Sequence, residues 1–96
     1  MSKINYSVNL FSESSEDLEK FLSLFYKSDI KLNQNLSYEE FFENPIQMVE
    51  LISTVIDNNE RFNIGIWISI DKDIFINITE NNLDKIIRYL LERYPN

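Results

Sequence analysis

Two hydrophobic rhythms divide this chain. At its start Ile4, Tyr6, Val8 and Leu10 alternate with Asn5, Ser7 and Asn9, the period-2 pattern of a half-buried strand. Ser12 to Ser15 then offer N-cap side chains, and Glu13, Glu16 and Asp17 lie where a helix N-terminus favours acids. Leu18, Phe21, Leu22 and Phe25 follow at helical spacing, which predicts a first helix from about Ser15 to Lys27.

Residues 28–44, SDIKLNQNLSYEEFFEN, carry both rhythms. Leu36, Tyr38, Glu40 and Phe42 alternate as in a strand, while Ser37 and Glu40 have capping-box spacing for a helix. Asn44-Pro45 would cut such a helix after about seven residues, too few to offset nucleation, so the strand is favoured. Asn44 in turn suits an N-cap, with Pro45 at the first helical position and Gln47 three residues after the cap. Met48, Val49, Ile52, Val55 and Ile56 give this second helix its apolar stripe, ending near Asn58-Asn59.

Two strands are predicted next, over about 62 to 70 and 74 to 79. Phe62, Ile64, Ile66, Ile68 and Ile70 share a face with Ile74, Ile76 and Ile78 only if 70 pairs with 74. That register leaves Asp71-Lys72-Asp73 as a three-residue loop. Thr79 is placed to cap a third helix, in which Leu83, Ile86, Ile87, Leu90 and Tyr94 recur up to Pro95. The order β-α-(β)-α-β-β-α implies an α+β fold. A two-layer sandwich is expected, with a mixed three- or four-stranded sheet carrying three helices on one face. No linker or repeat interrupts the 96 residues, so a single globular domain over 1–96 is expected.

In that layout no helix remains for the second sheet face. There Ser69 falls opposite Phe75, Trp67 opposite Asn77 and Gly65 opposite Thr79, and a neighbouring first strand would add Asn5, Ser7 and Asn9. A face depleted of charge, rich in amides and centred on two large aromatics has the composition of an interface core. Trp67, Phe75, Asn77, Ser69, Asn5 and Ser7 are therefore the first candidates for contact with a partner. The competing expectations are that a helix or residues 28–44 cover the aromatics, that the pair only stabilises its hairpin, or that the face is buried in a homodimer.

Composition narrows the chemistry. The chain lacks Cys and His, which removes disulfides, thiol nucleophiles, Ser-His-Asp arrangements and His- or Cys-ligated metals. Its one glycine, Gly65, sits inside a strand, which removes phosphate-cradling loops. Carboxylate pairs remain, but Asp71 and Asp73 read as a polar hairpin turn without the ligand spacing of a calcium loop. Asp84, Arg88 and Glu92 read as a surface ladder. No catalytic, cofactor-binding or metal site is predicted, and the protein is expected not to be an enzyme.

The net charge is −7, with 8 acids against 4 bases in residues 1–48 and 8 against 5 in residues 49–96. Such a surface repels phosphate backbones and anionic headgroups, so neither direct nucleic-acid binding nor membrane binding is expected. No signal-like segment or run of 18 apolar residues occurs, which predicts a cytoplasmic protein. Glu39, Glu40 and Glu43, together with Glu13, Glu16, Asp17 and Glu19, form a second candidate surface, an acid cluster able to mimic phosphates before a basic protein. Twelve Asn and fourteen Ile beside no Ala match AT-rich coding, as in a low-GC bacterium or its phage.

Small size, acidity and the lack of catalytic residue types resemble bacterial immunity proteins and phage anti-defence inhibitors as a class, a likeness of size and charge. The resemblance implies a non-enzymatic binding protein that occupies or inhibits a bacterial protein, with a basic, nucleic-acid-handling one as the expected target. The alternative is a structural or regulatory homo-oligomer.

Overall fold

A computed structural model describes residues 5–92. Its elements are β1 (Tyr6–Phe11), α1 (Ser15–Phe25), β2 (Ser37–Phe42), α2 (Pro45–Asp57), α3 (Asn59–Phe62), β3 (Gly65–Ile70), β4 (Ile74–Ile78) and α4 (Leu83–Glu92). The expectations placed on Ile4, Tyr94 and Pro95 lie outside the described residues.

The caps form where the side chains allow. Ser14 Oγ accepts from the Asp17 amide at 3.3 Å, and Asn44 Oδ1 accepts from the Ile46 amide at 2.8 Å, so each satisfies an amide that the first helical turn leaves unpaired. Thr79 does not cap the last helix directly. Its hydroxyl accepts from the Asn81 amide, and the Asn82 carbonyl accepts the first helical bond, from Ile86, which starts α4 at Leu83.

Four strands form one sheet in the order β2-β1-β3-β4. The ambiguous segment does join it, as the edge strand β2. Every ladder is antiparallel, which corrects the expected mixed sheet. β2 and β3 do run in the same direction, on either side of α2, but β1 lies between them and pairs with both, so no parallel ladder arises. In the hairpin Ile70 pairs with Ile74, as the parity of the isoleucines requires. Asp71 and Lys72 turn with φ of 56° and 67°, and the Asp73 amide donates to the Ile70 carbonyl.

The second correction concerns residues 59–62, of which alternation assigned Phe62 to the start of a strand. They make a fourth helix, the short α3, because the Asn58 carbonyl accepts from both Arg61 and Phe62. Asn63 then takes a left-handed φ of 50° that Asn tolerates, and Asn59 Oδ1 accepts from the Ile64 amide. Phe62 drops between α1 aromatics, with ring centroids 5.6 Å from Phe21 and 6.0 Å from Phe25.

The core lies on one side of the sheet. Val8, Leu10, Ile66 and Ile68 are fully buried there with Leu18, Phe21 and Leu22 of α1, Met48 and Ile52 of α2, and Leu90 of α4. Burying one such aliphatic side chain contributes about 1.5–3 kcal/mol. This core fixes the sheet's parity and thereby decides what the opposite face presents.

Candidate functional site

The side chains of β1 and β3 that do not enter the core project together on the second face. One row across the sheet reads Phe41, Ser7, Ser69, Phe75, and the next reads Glu39, Asn9, Trp67, Asn77. A third row pairs Ser37 with Phe11 and Phe11 with Gly65. Phe41 is 72% exposed, Phe75 65% and Phe11 39%. The competing expectation, that α2 or residues 28–44 cover the aromatics, is not met, since Phe75 stands exposed and Trp67 half-buried.

The centre of the face is built from one aromatic stack. Trp67 and Phe75 sit on the diagonal of the β3–β4 ladder, with centroids 5.2 Å apart and planes 25° from parallel. Such a pair is worth about 0.5–1.5 kcal/mol, and it holds the indole half-buried in a fixed orientation. Gly65 gives room for a second aromatic: a Cβ at that position would meet the Phe11 ring, so only glycine lets the ring lie flat on the strand. Ser7 and Ser69 are small, so Phe41 and Phe75 stand as two walls about 14 Å apart, three strand spacings, over a low floor. A depression of about 220 Å³ opens on the Phe41 side of that floor, lined by Asn5, Tyr6, Ser7, Phe41, Ser69 and Lys72.

Seven of the predicted residues, Glu39 among them, thus share one surface. Two of them are also used internally. The Asn77 side-chain amide donates to the Ile66 carbonyl at 3.0 Å, and the Asn5 carbonyl accepts from the Asp71 amide at 2.7 Å. Sequence reasoning missed Phe41 and Phe11, although parity marks both. Once Tyr38, Glu40 and Phe42 point to the helices, Phe41 must point away, and Phe11 follows Ser7 and Asn9.

The predicted acid cluster is not brought together. Strand alternation sends Glu39 to the open face, exposed beside Asn9, and Glu40 to the opposite one, while Glu43 lies exposed beyond the end of β2. The Glu40 carboxylate accepts from the Tyr38 hydroxyl and from Lys27 Nζ at 3.3 Å, and Tyr26 also hydrogen-bonds to it. Burial pushes this carboxyl up, but the bonds from Tyr38, Tyr26 and Lys27 and the lysine charge outweigh that effect and hold its pKa below the usual range. Burial first, and then the bond and charge of Glu40, push both tyrosines well above their ordinary value. A carboxylate with its lone pairs occupied and its basicity lowered is a poor general base, and the tyrosines are poor acids near neutrality. The cluster clamps the end of α1 to β2, as the T-shaped Tyr26–Tyr38 contact at 6.1 Å also shows.

Elsewhere the surface offers little chemistry. A broad depression of about 440 Å³ beside α1 is lined by interspersed acids and lysines, among them Glu16, Glu19, Lys20 and Lys27. Among the described residues no group of three or more acids is placed to hold a metal ion, and no helix is long and apolar enough to cross a membrane. No family model, curated protein or solved structure matches the chain.

Proposed function

We propose that this chain is a non-enzymatic binding protein that acts in the cytoplasm by occupying another protein through the open face of its sheet. The observation that carries the reading is an uncovered face on which Phe41, Phe75 and Phe11 stand exposed around a stacked Trp67. Large aromatics in a polar, charge-poor surround are the anchors from which protein interfaces draw most of their binding energy. The rigid ladder beneath them lowers the ordering cost of binding.

The net charge of −7 favours a basic partner, such as a protein that handles nucleic acid. Glu39, exposed in the row beside Phe41, is the acid best placed to meet it. Association with such a partner slows as salt is raised. Occupation or inhibition of a bacterial protein, in the manner of immunity or anti-defence proteins, fits these features.

The test is site-specific photo-crosslinking in cells of the source organism. A photoreactive phenylalanine analogue at position 41 is expected to capture one basic protein, and the same analogue at Gln47, exposed on α2, is expected to capture none. Equal capture from both positions, or adducts from position 41 with this chain alone, would remove the reading.

A further inference from the structure

The two edges of the sheet differ in kind. β2 carries Glu39 and Glu40, with Lys27 leaning on the latter, so its free edge is guarded by charge. β4, the other edge, reads IFINI, without charge or proline, and no described strand pairs with its outer side. The helix layer also thins towards it. Ile74 is 38% exposed and Ile76 only half-buried, while on α4 Leu83, Ile86 and Ile87 are half-buried and only Leu90 is fully so. Natural proteins seldom leave such an edge open, because its unpaired amides and carbonyls template another strand.

We infer that β4 pairs antiparallel with β4 of a second copy of this chain about a twofold axis at Ile76, joining two four-stranded sheets into one of eight strands. The register follows from the sequence around the strand. Centred on Ile76, the seam sets Ile74 against Ile78 of the second copy and Ile76 against itself, and its ends bring Lys72 to Glu80 on both sides. Faces are preserved, and Phe75 meets its own copy on the diagonal. Moving the centre to Phe75 sets Lys72 against Ile78, and moving it to Asn77 sets Ile74 against Glu80. Centres between residues would mix the two faces. Only the Ile76 register is complementary in both shape and charge. Neither Lys72 nor Glu80 makes an ion pair among the described residues, and the exposed Lys72 side chain, which borders the depression beside Asn5, serves the seam by swinging to the outer side of β4.

This inference rests on the sheet edge and not on the aromatic face, so each reading can fail alone. A five-residue seam is small, which sets the dimer in the weak, micromolar-to-millimolar class. The experiment is sedimentation equilibrium from about 10 µM to about 1 mM on the wild type, Lys72→Glu, Glu80→Lys and an equimolar mixture of the two variants. The wild type is expected to dimerise, and each reversal to weaken the dimer about tenfold, because two attractions become two repulsions. The mixture is expected to recover the wild-type association as a heterodimer, in which every pair is again opposite in sign. Glu80→Lys must weaken association even though it takes the net charge from −7 to −5 and so reduces the general repulsion.

Hydrogen exchange on the wild type gives a second measurement that survives misfolding of the variants. Alternate amides of β4 are expected to gain protection with concentration. A wild type that is monomeric at about 1 mM with unchanged β4 exchange, folded single variants that dimerise like wild type, or a mixture that fails to recover would each overturn the inference. Phe41→Ser, at the opposite edge, is expected to leave the dimer intact while abolishing capture of an outside partner by the photoreactive analogue placed at Phe75.

Discussion

Adjacent residues of β3 live in two environments. Ile68 is fully buried against the helices, while Trp67, next to it, lies half-buried on the open face with Phe75 stacked upon it. The same backbone ladder supports both, so the difference isolates what side-chain burial contributes. One face is closed by packing and the other is left available for contact. Ile68→Ala is expected to cost about 2–5 kcal/mol in urea unfolding, since it removes buried methylenes and leaves a cavity. Trp67→Ala is expected to cost about 1–2 kcal/mol, the stack plus partial area. Equal costs would break the comparison and make the open face as structural as the core.

Glu40 and Glu39 form the same kind of pair on β2. Glu39 is exposed on the open face, whereas Glu40 is held by two tyrosines and a lysine on the other. Replacing Glu40 with Gln is expected to cost about 1–3 kcal/mol at neutral pH, the range for hydrogen bonds to a charged group. Because the folded-state pKa of Glu40 is lowered, its contribution is present above the unfolded value near 4.3 and is lost as pH falls through the folded one. The gap between wild type and Glu40→Gln is therefore expected to close below about pH 4. Tyr26 and Tyr38 have raised values, so their contribution is whole below about pH 10 and is lost as pH rises towards their folded values. Parallel wild-type and variant curves from pH 7 to pH 2 in chemical unfolding would show that Glu40 is no more engaged than Glu39.

Periodicity made most of this fold legible, and the failures have local causes. The isoleucine parity of residues 64–78 determined the hairpin register, and Ser14 and Asn44 marked their helices, because in each case one side chain has one geometric outlet. The short α3 was hidden because Phe62 keeps the parity of Ile64 while answering to Phe21 and Phe25, contacts far away in the chain. The strand directions were hidden because pairing of β1 with both β2 and β3 is a tertiary choice that no local pattern encodes. For the candidate site, alternation placed Trp67 and Phe75 correctly. It also shows why the three glutamates could not act together, since adjacent strand positions face opposite ways.

The turns that lead into the two edge strands offer a smaller test. Most non-glycine residues at positive φ here are Asp or Asn, which tolerate it, but Leu36, before β2, stands at 59° and Lys72, before β4, at 67°. Leu36 is 54% exposed, so its side chain gains little from burial. Leu36→Gly is expected to raise stability by about 0.5–1 kcal/mol, the relief of left-handed strain less the extra freedom of glycine in the unfolded chain. A loss of stability in thermal unfolding would mean that Leu36 packs on the entrance to β2 more than its exposure implies. The two edges would then differ in their turns as well as in their charge.

The smallest stability effect belongs to the residue on which the proposed function depends most. Phe41 is 72% exposed, stands at the edge of the sheet and makes no ring contact within the described residues comparable to the Trp67–Phe75 stack. Phe41→Ser is therefore expected to stay within about 0.5 kcal/mol of wild type in urea unfolding, as surface substitutions do. Folding alone then gives no reason for a large apolar ring at this position rather than a polar side chain. A cost above about 2 kcal/mol would mean that the ring serves the fold and that this face needs no partner to explain it. A neutral substitution that also abolishes capture by the photoreactive analogue placed at Phe75, on the same face, would assign the ring to contact, because a residue irrelevant to stability can affect binding only through the surface it presents.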